Sequence, residues 1–569
     1  MSGTGPRQGG AHEGADLIVC NGKIITCDAG FHLAEAVAVK DGRITAVGGD
    51  EVSALADDAT RLIDAGGRAV IPGLIDGHAH MDREGLKDVF PSLAGCRSID
   101  DICGRIEALA DAAAPGQWIV TMPIGEPPYY FGVPDNLREK RFPTRWELDQ
   151  AAPDNPVYIR PIWGYWRHVQ PLDSIANSRA LELAGIGPGM APPPQTIKFE
   201  TDPGSGAFNG IIHEWTFMPV AELTYFTMMP KFDHGHRVAG IKRAMAAYNA
   251  YGTTSVYEEH GCAQELIDAY RAVHKAGEAT VRASLVYSPA WLAAGQDDYG
   301  ATLEGWAENI GGSGQGDDWL RIAGIFADLG NSADDLLRAA ANPYTGWAGF
   351  NYDSGVPAER MTEFLVAAAR ADIRVNAIWM TMLEFYQAAD KVVPLDGRRW
   401  VIGHLGNATP DQIGILRDLG IAMSAHPNRH IYKSGHLTRE KIGRENENQI
   451  APYKAVREAG IHLALSTDNV PVSLFYPIWQ AVSRHNMYSR DAIAPDQALS
   501  RRDALLSATI EGAWLTAEED IKGSVEPGKL ADMAILTDDP LTCPEPAIKD
   551  IAAETTIVGG RVVYERDAP

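Results

Sequence analysis

Residues 70–80, which read Val-Ile-Pro-Gly-Leu-Ile-Asp-Gly-His-Ala-His, constrain the fold of this chain more than any other stretch. An apolar run with a Pro-Gly break leads into an Asp-Gly pair, and His78 and His80 follow directly. Side chains two residues apart on a strand point to the same side, so both imidazoles are expected to project together from a strand end. Two neutral imidazoles on one side suit a divalent transition metal such as zinc.

The His-x-His spacing by itself leaves two interpretations open. Polar residues commonly close an ordinary strand, and a two-residue motif carries little specificity. The remainder of the chain therefore has to favour one interpretation over the other.

Length and charge limit the class of protein. The chain has 569 residues, and a TIM barrel of about 250 residues or more with one or two satellite domains fits that length. With 50 Lys and Arg against 75 Asp and Glu, the net charge is −25. Such acidity argues against nucleic acid or an anionic membrane as a partner, but it says little about the substrate.

The cysteines and the N-terminus bear on location. The chain contains 6 cysteines and no C-x2-C pair, which is typical of reduced packing residues. Residues 1–14 are polar and Gly-rich, predicting a disordered tail without the apolar core of a signal peptide. No run of about 18 apolar residues is present, so the sequence predicts no membrane span and a cytoplasmic location.

Short hairpin-like segments occupy both ends of the chain. Residues 17–26 and 36–47 alternate apolar runs with Asn-Gly or Asp-Gly turns, and residues 523–536 and 556–564 have the same texture. These patterns predict small β-domain segments at residues 15–70 and 520–567.

Between them, residues 71–519 alternate strand-like and helix-like runs, which is the pattern of a βα barrel. The strand-like runs are residues 157–160, 252–260, 281–287, 320–326, 373–378, 400–404, 420–424 and 461–465, and the helix-like runs include residues 237–250 and 358–371. Some of these strands are expected to lie in an insertion within about residues 82–240. That insertion is rich in Pro, Trp and Tyr, including residues 126–131 and 163–166, and it is expected to cover the barrel mouth and to favour a hydrophobic or aromatic substrate.

Several phrases together resemble the amidohydrolase superfamily, in particular its YtcJ-type branch. They are the stretch that ends in His80, residues 142–157, residues 177–186 and residues 252–256. The resemblance covers nearly the whole chain, and that branch includes N-substituted formamide deformylases. It implies a (β/α)8 TIM barrel over residues 71–519 and a composite β-sandwich built from both termini. It also implies metal-assisted hydrolysis of carbon–nitrogen bonds.

The same resemblance implies a metal site. His78 and His80 match the family's first ligand pair, His404 matches its last histidine, and Asp468 matches its aspartate. Three protein ligands and one open position are typical of catalytic zinc, so one zinc per chain is expected, with iron, cobalt and manganese left open. Asp468 is expected to bind the metal and to move the proton of the attacking water. His404 is expected to be the fourth ligand or a nearby acid or base, which when protonated would polarise the carbonyl.

Two family positions differ here. The residue expected to be a bridging lysine is Phe326 or is deleted, and the residue expected to be a histidine is Asn376. Both changes affect the second metal of a binuclear pair, so the usual bridged centre is not expected. Glu258, Glu259 and His260 follow a strand-like run and are candidate replacement ligands.

The other histidines receive weaker assignments. His426 and His430 follow a strand-like run, and one of them is a candidate substrate contact. For the remaining histidines in loop-like segments a structural role is preferred: His213, His234, His236 and His436.

Three functional hypotheses follow. The leading one is metal-dependent hydrolysis of an amide, N-formyl or carbamate-like bond in a small hydrophobic or aromatic molecule. A deaminase or lyase reaction at the same mononuclear site is the second, and a degenerate, non-catalytic barrel is the third. A homo-oligomer is expected only because symmetric assemblies are common among enzymes.

Overall fold

The computed structural model describes residues 14–162, 170–216, 219–291, 298–330, 344–351 and 355–566. The predicted tail at residues 1–14 and the aromatic residues 163–166 lie outside this part of the chain, apart from Gly14. Short strands begin the chain, in the order β1 (Leu17–Cys20), β2 (Lys23–Ile25), β3 (Leu33–Ala34), β4 (Ala36–Lys40), β5 (Arg43–Gly48), β6 (Arg61–Asp64) and β7 (Ala69–Pro72).

The apolar run before the histidines divides into two strands at Gly73. Strand β7 ends at Pro72, and β8 (Leu74–Asp76) begins after the glycine in a different sheet. A Cβ atom at Gly73 would lie 2.1 Å from Oγ1 of Thr254, so only glycine fits at this crossing. The metal-site motif is therefore joined directly to the terminal β-domain.

A separate sheet follows, with β9 (Ile119–Thr121), β10 (Val157–Ile159), β11 (Leu172–Ala176), β12 (Ile197–Thr201) and β13 (Phe208–Glu214) in the order β12-β13-β11-β10-β9. Residues 157–160 were predicted as a strand, and the structure assigns β10 to this sheet rather than to the barrel. The buried side chains of β9 and β10 pack within the insertion.

Eight parallel strands of the described chain form the barrel in sequence order. After β8 they are β14 (Thr253–Cys262), β15 (Arg282–Tyr287), β17 (Leu320–Phe326), β20 (Val375–Ala377), β21 (Val401–Ile402), β22 (Ala422–Ala425) and β23 (Leu463–Leu465). Short strands lie beside them: β16 (Gln315–Gly316) pairs with β17, and β18 (Asp328–Leu329) pairs with β19 (Gly355–Val356). The amide of Gly77 donates to the carbonyl of Leu465 at 3.0 Å, which brings the first and last strands together.

The C-terminal strands complete the terminal domain. They are β24 (Met533–Leu536), β25 (Ala553–Val558) and β26 (Arg561–Glu565), and they join β7, β2 and β3 in one sheet. The other sheet has the order β5-β4-β1-β6, and the two share a core that includes Val19, Val37 and Ile557. The predicted fold, a (β/α)8 barrel with a composite β-sandwich from both termini, is confirmed.

Helices surround the barrel and the insertion sheet. Their bounds are α1 (Asp50–Ser53), α2 (Met81–Leu86), α3 (Ile99–Ala112), α4 (Arg145–Ala151), α5 (Ser178–Leu183), α6 (Ala221–Thr224), α7 (His234–Asn249), α8 (Gln264–Lys275), α9 (Tyr299–Ile310), α10 (Ala358–Arg370), α11 (Leu383–Asp390), α12 (Pro410–Asp418), α13 (Gly435–Ile442), α14 (Tyr453–Glu458), α15 (Phe475–Ser483), α16 (Arg501–Ser507) and α17 (Ile510–Leu515). The predicted helices at residues 237–250 and 358–371 correspond to α7 and α10. Among the described residues, no helix combines the length and the apolar character needed to cross a membrane.

Candidate metal centre

Histidine and carboxylate side chains collect at the C-terminal ends of the barrel strands, where (β/α)8 enzymes place their sites. His78 and His80 follow β8, and His404 follows β21. Asp468 follows β23, and its amide donates to the carbonyl of His78 at 3.0 Å. Each of these four residues is less than 10% exposed. The structure thus brings together all four residues that the sequence predicted as ligands.

Three donor atoms form a compact triangle. Nε2 of His78 lies 3.0 Å from Nε2 of His80. Oδ1 of Asp468 lies 3.2 Å from Nε2 of His80 and 3.9 Å from Nε2 of His78. Ligands of a tetrahedral zinc with bonds near 2.0–2.1 Å are separated by roughly 3.3 Å. The three atoms therefore fit a single divalent ion.

Two carboxylates hold the first of these imidazoles in place. Nδ1 of His78 lies 2.6 Å from Oε2 of Glu259, which also accepts a hydrogen bond from the Ser424 hydroxyl at 2.5 Å. Burial opposes protonation of His78, but the hydrogen bond to Glu259 and the charges of Glu259, Asp468 and Asp76 together outweigh burial and raise the pKa of His78. Asp76 accepts hydrogen bonds from the amides of His78 and Thr467, which fixes the backbone after β8 to that after β23. The Glu259 contact occupies Nδ1 of His78, so Nε2 is the ring nitrogen that faces His80 and Asp468.

Glu258 has a similar place behind His80. Its Oε2 lies 3.5 Å from Nδ1 of His80, and its Oε1 accepts hydrogen bonds from the Met81 amide at 2.8 Å and the Tyr270 hydroxyl at 2.6 Å. Burial raises the pKa of Glu258 to about 8. Partners behind metal-binding histidines fix the ring and its tautomer. Glu258 and Glu259 thus contact the ligand candidates from behind, on the side away from the triangle.

A second group of imidazoles lies on the other side of His78. The ring of His426, which follows β22, is 4.5 Å from that of His78, and the ring of His404 is 4.9 Å away. His404 and His426 stack at 3.9 Å, and donor atoms of all three residues lie within 4.8 Å of one another. Among the described residues, Nε2 of His404 and Nε2 of His426 are buried without a hydrogen-bond partner. Buried donor atoms of this kind suit a metal ligand.

Charge on these two rings is disfavoured. Burial, with the neighbouring imidazoles, lowers the pKa of His404 and that of His426 well below the ordinary histidine value. Both rings are therefore neutral near pH 7 and offer a lone pair. The expectation that a protonated His404 polarises the carbonyl is not supported by this geometry, because burial penalises the imidazolium form.

Backbone conformation sets two of the candidates apart. His404 has φ 50° and Asp468 has φ 54°, both in the left-handed region that residues other than glycine seldom adopt. Such conformations are costly and occur often at functional sites, where the surroundings impose them. Here they lie directly after the ends of β21 and β23.

Phe326 and Asn376 have roles that exclude them from the cluster. The Phe326 ring lies 4.8 Å from that of His260, whose ring also stacks on Phe350 at 4.2 Å. The Asn376 side chain accepts a hydrogen bond from the Tyr257 hydroxyl and donates to the Ile325 carbonyl at 3.4 Å. Neither residue offers a metal ligand, and an aromatic ring is present where the family's lysine was expected.

The remaining histidines were assigned less specifically. His260 has a donor atom within 4.8 Å of those of His78 and His80, although its ring is held between two phenylalanines. The centroid of the His430 ring lies 6.1 Å from that of the His404 ring. His213 lies on the insertion sheet and contacts Asp173 and Glu200, at 2.6 and 2.8 Å. His236 caps α7, His234 is the first residue of that helix, and the ring of His436 is 5.2 Å from that of Tyr488.

Sequence reasoning underrated His426. It was expected only as an alternative to His430 for a substrate contact, yet its ring is as close to His78 as that of His404. The available signal was position, because His426 follows the buried strand β22 directly, just as His404 follows β21.

Aromatic residues of the insertion reach the barrel mouth. Tyr129 stacks on Phe131 at 4.9 Å, and its hydroxyl donates to Oδ1 of Asn428 at 3.4 Å. Tyr129 also lies 6.4 Å from Tyr432, which packs against Trp479 at 5.9 Å. The insertion therefore covers the loop that follows the seventh barrel strand.

The fold combines a (β/α)8 barrel with a β-sandwich built from both termini. Histidines and a carboxylate at the C-terminal mouth of such a barrel are typical of metal-dependent hydrolases. Residues 61–564 match the family model described as the amidohydrolase family, and the chain belongs to that family. The resemblance seen in the sequence is confirmed. So is the expectation of a metal-dependent hydrolase of carbon–nitrogen bonds, at the level of the family.

Two curated relatives and one solved structure match nearly the whole chain. The N-substituted formamide deformylase of Arthrobacter pascens is 26% identical, covering 97% of this chain and 98% of that protein. The putative amidohydrolase YtcJ of Bacillus subtilis is 23% identical, covering 94% of this chain and 96% of that protein. The crystal structure of an uncharacterized metal-dependent hydrolase from Pyrococcus horikoshii is similar in fold, with TM-score 0.67 and 21% identity, covering 93% of this chain and 99% of that one.

Proposed function

We propose that this chain binds one divalent metal and hydrolyses an amide, N-formyl or carbamate-like bond in a small hydrophobic or aromatic molecule. The triangle formed by His78, His80 and Asp468 is the observation that carries the proposal. Its edges of 3.0, 3.2 and 3.9 Å are close to the separations expected between three ligand atoms that bind the same ion.

The residues present fit a single metal rather than a pair. His78, His80 and Asp468 would hold it, and His404 would be the fourth ligand, because its buried Nε2 has no partner within the described chain. Phe326 and Asn376 supply nothing to a second ion. Zinc is favoured because neutral imidazoles and one carboxylate are typical of its sites. A divalent metal held there would supply Lewis acidity and make water a stronger nucleophile at neutral pH.

Asp468 is the residue proposed to move the proton. Burial raises its pKa, but the nearby basic groups His426, His78, Arg83 and Lys433 together outweigh burial, so the pKa of Asp468 is lowered overall. The carboxylate is therefore ionised at neutral pH and able to accept a proton from the attacking water. Oδ1 of Asp468 faces His80, and the other carboxylate oxygen, Oδ2, lies 3.8 Å from Nδ1 of His426. From there Asp468 would deliver the proton to the leaving nitrogen.

The aromatic residues over the mouth support the substrate class. Tyr129, Phe131, Tyr432 and Trp479 form a continuous set of ring contacts beside the site. Flat apolar groups pack well against such rings. Because one relative is an N-substituted formamide deformylase, an N-substituted formamide with an aromatic group, such as N-benzylformamide, is a suitable first substrate to test.

The deciding experiment measures metal content by ICP-MS and product formation by mass spectrometry on one preparation. About one equivalent of metal per chain is expected, with formate and an amine released from an N-formyl compound. Asp468→Asn should lower kcat/KM by about 10²–10⁴-fold. Asp111→Asn, at an exposed residue in α3, is the matched control and should leave it unchanged.

Each remaining outcome selects another hypothesis. Release of ammonia from an amino-substituted ring, with no amide cleavage, would favour a deaminase. Elimination products would favour a lyase. Protein that binds neither zinc, cobalt nor manganese on reconstitution would favour a non-catalytic barrel.

A further inference from the structure

His260 lies on β14, directly after the two carboxylates that contact the ligand candidates from behind. Glu258 and Glu259 are buried, whereas His260 is partly exposed. The pairing of β14 with β15 shifts register between Glu258 and Cys262, and Gly261 has φ 98°. Bulges of a strand re-aim its side chains and are common beside active sites. This irregularity accounts for three successive residues of one strand that all face the candidate centre.

Two phenylalanines hold the His260 ring in place. Phe350 stacks on it with the ring centroids 4.2 Å apart and the planes at 13°, and the Phe326 centroid lies 4.8 Å away. Both phenylalanines are 3% exposed. A side chain that is already ordered by packing loses little freedom when it contacts a ligand. Phe326, where a bridging lysine was expected, therefore positions His260.

The polar edge of His260 comes close to the ligand candidates without joining their triangle. A ring nitrogen of His260 lies within 4.8 Å of ligand atoms on His78 and His80. Its centroid is 6.2 Å from that of His78 and 6.0 Å from that of His80, whereas those two centroids are 4.8 Å apart. Oxygen Oδ1 of Asp468 lies 3.2 Å from Nε2 of His80 and 3.9 Å from Nε2 of His78. Within the described chain, His260 has no contact this close with Asp468. His260 thus lies beside the triangle, at a distance suited to a molecule bound to the ion.

We propose that His260 is a catalytic residue that donates a hydrogen bond from its ring to the carbonyl oxygen of the substrate and stabilises the oxyanion formed when water adds. This inference rests on the proposed hydrolase function and adds a residue to that site. A neutral imidazole carries one N–H, so the role requires no change of charge. Fixed donors aimed at the oxygen where charge develops contribute about 10²–10³-fold to kcat.

His260 would act only through this hydrogen bond. The water oxygen forms a bond to the carbonyl carbon, and the π electron pair of the carbonyl moves onto its oxygen, where the N–H of His260 binds it. Asp468 takes a proton from the water and delivers it to the leaving nitrogen. The C=O bond then re-forms and the C–N bond breaks, so an N-formyl compound yields formate and a protonated amine. His260 keeps its proton throughout.

Binding of a tetrahedral anion tests this contact without requiring turnover. Benzylphosphonate resembles the species formed by addition of water, and calorimetric titration of the metal-loaded protein measures its affinity. His260→Phe removes the donor and keeps a flat ring against Phe326 and Phe350. We expect it to weaken benzylphosphonate binding by about tenfold or more, as for loss of a hydrogen bond to a charged group. His260→Gln retains a donor and should lose less. His234→Phe, at the exposed first residue of α7, is the control and should match the unsubstituted protein.

Metal affinity separates a substrate contact from a metal ligand. Competition with a chromogenic chelator should give the same metal affinity for His260→Phe as for the unsubstituted protein, which also shows that the variant is folded. The visible absorption spectra of the two cobalt-loaded proteins should be the same. A fall in metal affinity or a changed cobalt spectrum would overturn the proposal, because His260 would then be a ligand. An unchanged affinity for benzylphosphonate would overturn it as well.

Turnover separates this inference from the broader proposal. With N-benzylformamide, His260→Phe should lower kcat by about 10²–10³-fold and change KM little. In N-benzylthioformamide the carbonyl oxygen is replaced by sulfur, a weak hydrogen-bond acceptor, so the variant should lose less on this compound. An equal loss on both compounds would indicate a structural role and refute the contact. If the unsubstituted protein hydrolyses neither compound while benzylphosphonate binding still depends on His260, the hydrolase assignment fails and the contact stands.

Discussion

Oε2 of Glu259 lies 2.6 Å from Nδ1 of His78, and both side chains are fully buried. The contact joins the second barrel strand to the residue that follows the first. It fixes the tautomer of His78, because the proton on Nδ1 leaves Nε2 as the atom with a free lone pair.

Glu259→Gln should therefore weaken the metal site without removing a ligand. The glutamine keeps the shape of the side chain but loses its charge, and a lost outer partner of a metal ligand costs about 10–100-fold in metal affinity. Competition with a chromogenic chelator measures this directly. Activity should return at high metal concentration, and an unchanged metal affinity would contradict the role given to Glu259.

Gly403→Ala should also weaken metal binding, because the added methyl group would displace the carboxylate of Glu259. A Cβ atom at Gly403 would lie 2.6 Å from Oε1 and 2.7 Å from Oε2 of Glu259, so the carboxylate would have to move. We expect metal affinity to fall as it does in Glu259→Gln. The matched control is Gly414→Ala in α12, where an added Cβ meets nothing within 4 Å. That change should stabilise the helix by up to about 1 kcal/mol and leave metal affinity unchanged.

Asn376→Leu should affect stability and not metal content. Tyr257 donates its buried hydroxyl to Asn376, so the leucine would leave that hydroxyl without its partner. Loss of one partner of a buried hydrogen bond costs about 1–3 kcal/mol. Chemical denaturation gives the free energy of unfolding, and ICP-MS gives the metal content of the folded protein. In Tyr257→Phe/Asn376→Leu both partners are removed, and the combined loss should be smaller than the sum of the single losses. A loss of metal in the single variant would show that Asn376 contributes to the centre.

Asp328 provides a pH-dependent test at the end of the fourth barrel strand. Burial raises its pKa from 3.8 to about 7, and its Oδ2 is buried without a partner in the described part of the chain. The folded protein thus holds a proton that the unfolded chain has lost, so the unfolding free energy falls as pH rises from 3.8 to about 7. Asp328→Asn removes this titration, and its stability relative to the unsubstituted protein should improve as the pH rises from about 4 to about 7 and then level off. A difference that stays constant over that range would show that Asp328 does not titrate as described.

The barrel strands and the four ligand candidates could be predicted from the sequence for a physical reason. Strands buried on both faces are short, continuous apolar runs, and functional residues must follow their C-terminal ends. His78, His404 and Asp468 each stand at such an end. Residues 157–160 have the same composition, and nothing local distinguishes a barrel strand from one in the insertion sheet. Only the pairing of β10 with β9 and β11 shows that residues 157–160 belong to the insertion sheet.

The roles of Glu258 and Glu259 depended on orientation, which the sequence does not contain. Both were predicted as replacement ligands because carboxylates at a strand end are unusual. Successive residues of a strand point to opposite faces. Yet the contacts direct Glu258 to His80 and Glu259 to His78, each at Nδ1 rather than at Nε2. Which ring nitrogen a carboxylate meets is a property of the folded barrel alone.

The crossing at Gly73 has a consequence for how the protein is made. Strand β7, immediately before the metal-site motif, pairs with β24, and Pro72 lies opposite Met533. On the ribosome, β7 has no such neighbour until nearly the whole chain has been synthesised. Strand β7 can pair with β2 early, but the sheet directly before β8, the strand that presents His78 and His80, is completed only near the end of synthesis. Capture of the metal is therefore expected to follow release of the complete chain rather than to guide its early folding.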